Sequence, residues 1–288
     1  MRQGLWLAAA LAAGAAGGFL RSQYERDHFV VEKTTVFTKK VRQPRTVVFL
    51  TDLHDKEFGE GNRCLLDAIK KLQPDFVLIG GDTMVVKPDK AKLETTKRLL
   101  KGLHQICPVY YGNGNHEQRL QKERKLYGDL YDRFEKLLKQ CGVVYLSDKS
   151  VNVGEDIRIS GLNIEKNYYR DWIPGKMTQK YIQKHLGEAD RDRFQILLAH
   201  SPLFFDAYTG WGADLTLSGH FHGGTIRIPV LGGVMTPQYQ FFLPCCAGTF
   251  EKNNQYLIVG RGLGTHSINI RIYNKPQVVA VKLMPSGS

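Results

Sequence analysis

Nine histidines occur in the 288-residue chain, and five of them belong to a set of short blocks that also supplies carboxylates and an amide. In chain order the blocks are Asp52-Leu53-His54, Gly81-Asp82, Gly114-Asn115-His116-Glu117, the solitary His200, and Gly219-His220-Phe221-His222. Imidazoles, carboxylates and an amide oxygen together form the ligand set of borderline first-row metal ions. An Asp-x-His pair just past a strand can turn both side chains toward one ion. His-x-His in a loop can send one imidazole to each of two ions. An Asp such as Asp82 can bridge two ions at the ~3.5–4 Å spacing of two-metal hydrolases. Each block also has an ordinary reading: Gly-Asp makes turns and N-caps, and a single His before Ser201-Pro202 is commonly a satisfied structural residue. Gly-His-x-His has fewer structural uses. The complete set, in one order and sufficient for two coordination shells, decides for metal binding.

The elements that must carry these blocks follow from the apolar pattern. Continuous apolar runs at 47–50, 76–79 and 109–111 read as buried strands. Further strands are expected at 143–146, 157–160, 196–199, 215–217 and 256–259, with an edge-type strand over 29–37. Helical spacing covers 65–72, 90–103 and roughly 127–140. Strand–helix alternation with near-continuous apolar strands predicts an α/β layered fold. Every candidate ligand block then falls just outside the carboxyl end of a strand, where α/β sheets gather ligands. No internal repeat and no composition break marks a second domain.

The ordered blocks resemble the calcineurin-like metallophosphoesterase superfamily, over about residues 45–265. Within it the chain looks most like a bacterial membrane-anchored phosphodiesterase branch, through the stretches 200–204, 210–215 and 260–264. The resemblance implies a four-layer α/β/β/α sandwich with a dinuclear metal centre. Asp52, His54 and His222 would hold one ion, Asn115, His200 and His220 the other, and Asp82 would bridge both. The ions would be two divalent or trivalent first-row metals: Mn, Zn, Fe or Ni. His116 would serve as general acid to the leaving group. The expected reaction is hydrolysis of a phosphodiester or pyrophosphate by in-line attack of a hydroxide shared between the ions. Two alternatives stay open, a phosphomonoesterase acting on lipid phosphate or phosphoprotein, and a non-catalytic module binding anionic lipid or nucleic acid. Arg261, in the glycine-rich run 260–264, and Arg119 are candidate phosphate contacts.

Composition narrows the class further. The chain is 42% hydrophobic and 24% charged, which excludes a disordered or fibrous protein. Its five cysteines include no Cys-x-x-Cys pair, so no thiolate zinc site is indicated. The formal charge is +12, compatible with an anionic membrane surface; no nucleic-acid-binding module stands out. No obligate protein partner is evident. Residues 4–20 are uncharged and rich in Ala and Gly. They read as a membrane anchor, with a cleaved signal peptide as the alternative. Three regions are expected: an anchor or signal over 1–21, a basic flank with an edge strand over 22–44, and a catalytic domain over 45–288. The flank over 21–45 carries seven basic and three acidic residues; which side of the membrane it occupies stays open.

Overall fold

The computed structural model of the chain describes residues 2–88, 91–170, 175–228, 232–236, 240–243, 245–265 and 269–287. The apolar runs form the predicted strands. In chain order the first are β1 (Val30–Thr38), β2 (Arg45–Leu50), β3 (Phe76–Ile79), β4 (Val109–Gly112) and β5 (Val144–Leu146). They are followed by β6 (Lys149–Val153), β7 (Ile157–Leu162), β8 (Phe194–Ala199) and β9 (Leu215–Ser218). A two-stranded ribbon of β10 (Arg227–Ile228) and β11 (Gly232–Gly233) precedes β12 (Gly248–Lys252), β13 (Gln255–Val259) and β14 (Gln277–Pro285).

Two six-stranded sheets result, in the orders β1-β14-β2-β3-β4-β5 and β12-β13-β9-β8-β7-β6. Strands β2 to β5 run parallel, as do β7, β8, β9 and β13, so their carboxyl ends gather along the sheets. Side chains alternate along each strand, because successive residues of a strand face opposite ways. From β2, Val47 and Phe49 enter a buried cluster shared with Ile196, Leu198 and Leu217 of the other sheet. The intervening Val48 and Leu50 join a second cluster with residues of the helices that cover the first sheet. Those helices include α2 (Arg63–Lys71) and α3 (Glu94–His104). After α4 (Asn115–Lys122) and the short α5 (Arg124–Tyr127), α6 (Leu130–Gln140) completes the cover. A third cluster sets Leu197 and Ala199 against α8 (Gln179–Leu186) and α9 (Phe205–Trp211), beyond the single turn α7 (Asn167–Arg170). Three apolar interfaces therefore separate four layers: helix, sheet, sheet, helix.

Several expectations shift. The start expected for α3, Lys90, lies outside the described residues. The helix expected over 127–140 is divided at Gly128, whose φ of 57° breaks the α5–α6 run. Within the basic flank the expected edge strand forms as β1, which lies at the edge of its sheet and pairs in parallel with β14 along its whole length. The N-terminal run is helical, forming α1 (Arg2–Asp27). Yet among the described residues no helix is long and apolar enough to cross a membrane. The transmembrane helix expected there is thus not found among the described residues. Ala and Gly fill most of the middle of α1, and Arg21, Glu25, Arg26 and Asp27 charge its last turns.

Candidate metal centre

The loops after β2, β3, β4, β8 and β9 meet at one point. Their donor atoms form close groups: Asp52 with His54 and His222, and Asp82 with His200 and His220, all within 4.8 Å of one another in each group. The Nε2 atoms of His54 and His222 lie 3.2 Å apart, and that of His222 lies 3.3 Å from Asp52 Oδ1. Asp82 Oδ2 sits between the groups, 3.2 Å from His200 Nε2 and 3.9 Å from His54 Nε2. Ligands about 2.1 Å from a common ion stand roughly 3.0–3.4 Å from each other, so the shorter spacings are those of a shared cation. Asn115 offers a further oxygen: its Oδ1 is buried without a hydrogen-bond partner among the described residues. A buried amide oxygen without a partner, one residue before His116 of the cluster, fits a metal ligand.

The backbone is bent to achieve this. Asp52, His54, Asp82, His220 and His222 all have φ between 46° and 70°. Non-glycine residues enter the left-handed region at a cost of about 1–3 kcal/mol each, and persist only where the surroundings hold them. Here the holding bonds are visible. Asp52 N–H donates to Gly81 O and His54 N–H to Asp82 O, at 3.0 and 3.1 Å. The first and second blocks are thus laced together, main chain to main chain. Two glycines of the motif make room for the carboxylates. A Cβ on Gly114 would lie 2.2 Å from Asp82 Oδ1, and one on Gly219 would lie 2.2 Å from Asp52 Oδ2.

Hydrogen bonds at the other ring nitrogens and carboxylate oxygens aim these side chains. His200 Nδ1 bonds Gly80 O at 2.7 Å, and His222 Nδ1 bonds Gly264 O at 3.0 Å, which turns each Nε2 inward. Asp82 Oδ1 accepts from His116 N–H, leaving Oδ2 for the centre. Burial and charge then act against each other. Desolvation pushes the Asp52 and Asp82 carboxyls up, but the surrounding imidazoles outweigh it and hold both well below the usual carboxylate range. Burial likewise pushes His200 down, yet Asp82 and Asp52 prevail and raise it to about 10. His220, disfavoured as a cation by burial and by His200, falls to about 3. Two buried carboxylates thus recruit positive charge from their neighbours.

His116 shares the cluster, its Nε2 4.0 Å from Asp82 Oδ2. Val86 N–H donates to its Nδ1 at 2.8 Å, so the neutral ring carries its proton on Nε2. Burial pushes its pKa down. The ring is therefore a hydrogen-bond donor in neutral form.

The chain's match to the family model of calcineurin-like phosphoesterases runs over residues 45–224. The chain belongs to the calcineurin-like phosphoesterases. It is 27% identical to YpbG of Bacillus subtilis (strain 168) over 95% of this chain and 94% of that one. It is also 27% identical to that organism's metallophosphoesterase YkuE, over 95% and 93%. Phosphodiesterase YaeI of Escherichia coli (strain K12) is 24% identical over 96% of both chains. Family and clustered donors together indicate divalent metal ions.

The two candidate phosphate contacts have partners of their own. Arg119 donates to Val86 O at 3.0 Å. Arg261 bonds Glu32 and the carbonyl of Lys275. The glycines around Arg261 serve packing: a Cβ on Gly264 would lie 1.9 Å from Leu53 O.

Other residues support the site without signalling it in sequence. Glu117, fully buried, accepts from the N–H groups of Asp82, Thr83 and Gly114 and from Tyr111 O–H, at 2.7–3.0 Å. In the sequence it looks like a helix cap. Arg271, also buried, donates to the carbonyls of Arg261, Gly262, Gly264 and Asn274. Asn274 donates to His222 O, and Ser22 and Glu25 of α1 accept from the main-chain N–H groups of Arg271 and Asn274. The end of α1 thereby clamps the loop behind His222.

Glu117→Gln keeps the shape but replaces one acceptor oxygen with a donor facing N–H groups. It is expected to weaken metal affinity about 10–100-fold, the range for outer-shell partners of metal ligands. Competition against a fluorescent chelator measures this; wild-type affinity in the variant would contradict the role.

Proposed function

We propose that this chain is a dinuclear metal-dependent phosphodiesterase acting on a membrane- or envelope-associated phosphate ester. The observation that carries the reading is the convergence of Asp52, His54, Asp82, His200, His220 and His222 on one point, beside the Nε2–H of His116 and next along the chain to the buried Oδ1 of Asn115. When bound, two cations supply Lewis acidity, making a water acidic enough to attack phosphorus in line and screening the phosphoryl oxygens. Asp82, lying between the two groups, holds them in register. His116 contacts the leaving oxygen. Because its ring is neutral, it stabilises that oxygen by hydrogen bonding from Nε2, and solvent completes the protonation. This is narrower than the general-acid role suggested by the resemblance. A diester is favoured over a monoester because a dianion calls for further cations, and Arg119 and Arg261 are engaged elsewhere. The name of the Escherichia coli relative, a phosphodiesterase, supports the same choice.

Chelator-stripped protein is expected to lose diester hydrolysis and to regain it with Mn²⁺. His116→Ala should keep its metals while losing about 10²–10³-fold in turnover of an unactivated dialkyl phosphate, the cost of deleting one preorganised donor. The loss on a p-nitrophenyl diester should be smaller. Elemental analysis and steady-state kinetics check both, and an unchanged rate on the unactivated diester would refute the role of His116.

We further propose that α1 brings the enzyme to an anionic membrane surface without spanning the bilayer. Support comes from its exposed Trp6, Leu11, Phe19, Leu20 and Tyr24, and from Arg21 near its end, half-exposed beside Glu25. Apolar side chains beside basic ones suit interfacial binding. The full chain should sediment with phosphatidylglycerol vesicles at low salt and a chain lacking residues 2–20 should not; equal sedimentation of the two would refute it.

A further inference from the structure

Beside the loop of His222, a small patch of paired segments inverts the usual alternation of a sheet. Ile226 is bridged in parallel to Ile272, and Arg227 pairs with Gly233 across the β10–β11 ribbon. Val234 N–H donates to Ile226 O at 2.9 Å. Paired residues share a face of a sheet, and residues two apart along a strand return to it. One face therefore carries Ile226, Ile228, Val234, Ile270 and Ile272. None of the five is buried: Ile228 and Ile270 are 42% and 41% exposed, and the other three are half-buried. Thr225, Gly233 and Arg271, of the opposite face, are buried. Phe241 and Phe242, also exposed, extend the patch at its last segment, where Phe242 N–H bonds Val234 O. A sheet with one packed face ordinarily turns polar residues to water. A contiguous apolar outer face marks an interaction surface.

Charge and position select the partner. From 215 to 288 the sequence holds six basic residues and a single acidic one, Glu251, and the run 223–243 holds no acidic residue. A second copy of the chain would bring the same positive excess to the contact, whereas anionic lipid neutralises it. The patch is also continuous with α1. Arg271 N–H donates to Ser22 Oγ, Arg21 lies over the Tyr273 ring and Lys275 over that of Tyr24, each 5.1 Å from the centroid.

We propose that this face is a membrane contact, with Ile226, Ile228, Ile270 and Ile272 seated among the headgroups of an anionic bilayer and Arg21 and Lys275 on the lipid charges. The inference rests on the membrane half of the proposed function and adds residues outside α1 to it; it does not depend on the reaction. Ile226 follows His222 by four residues, and Asn274 donates to His222 O, so the contact brings the metal centre to the headgroup layer.

Hydrogen–deuterium exchange of the full chain with phosphatidylglycerol vesicles tests the contact. The amides of 226–228 and 270–273 are expected to slow when vesicles are added. The double variant Ile228→Asp with Ile270→Asp should bind the vesicles at least about tenfold more weakly, the effect of about one isoleucine's worth of buried surface. Its melting temperature and its hydrolysis of bis-p-nitrophenyl phosphate without vesicles should stay near wild type. Phosphatidylcholine vesicles should bind the wild-type chain about fivefold more weakly, the share of one basic side chain at an anionic surface. Protection of α1 without 226–228 and 270–273, or undiminished binding by the double variant, would overturn the contact and leave α1 as the anchor. Equal binding to phosphatidylcholine would overturn the choice of an anionic surface. Protection that grows with protein concentration in the absence of vesicles would overturn the contact in favour of a second copy. A chain that binds as expected but leaves the diester intact rejects the reaction alone.

Discussion

Two carboxylates buried within reach of one another are the constraint on which the rest of the structure depends. Asp52 and Asp82 are removed from water at the meeting point of the strand ends. Burying a charge is costly unless it is paired, and two like charges compound the cost. Four ligand imidazoles and His116 surround them, and His200 takes up positive charge in response. Divalent cations satisfy the same demand with more charge and with directional bonds to every donor. The sheets, the glycines and the buried polar residues around the site all serve to hold that concentration of donors in place.

That holding is done by interlocked backbone. Five residues of the cluster in left-handed conformations would relax if their loops were independent. They are not independent: the Asp52 loop hydrogen-bonds to the Asp82 loop, and Asp52 accepts from His220 N–H. Glu117 ties the Asp82 turn to the start of α4, and Arg271 gathers the carbonyls behind His222. Strain at the ligands is thus balanced by hydrogen bonds drawn from both sheets and from α1. The N-terminal helix consequently has two parts. Its exposed stretch faces solvent, while Ser22 and Glu25 are buried against the loop that carries Arg271 and Asn274.

Much of this was legible in the sequence because metal-ligating side chains are few in kind. His and Asp at strand ends have no generic substitute, so their blocks announced themselves, and the continuous apolar runs at 47–50 and 76–79 announced the strands that carry them. What was hidden depends on long-range partners. Arg271, between Ile270 and Ile272, reads as one polar position in an ordinary alternation, yet it binds four carbonyls. The glycines around Arg261 show a use the sequence could not reveal: they let the chain pack against Asp52 and Leu53. The apolar N-terminus suggested a bilayer span, but the helix continues into charged turns that are folded onto the domain. Local spacing carries the ligands; packing partners far along the chain carry their support.

The central claim is that the buried donors form a centre for two cations. Elemental analysis of the purified full-length chain, dialysed against metal-free buffer and reloaded with Mn²⁺, tests it most directly. The account predicts two ions bound per chain, with a rise in melting temperature on loading, because cations that bind the folded chain stabilise it. A folded chain that takes up no ion, and whose melting temperature is unmoved by added metal, would contradict it.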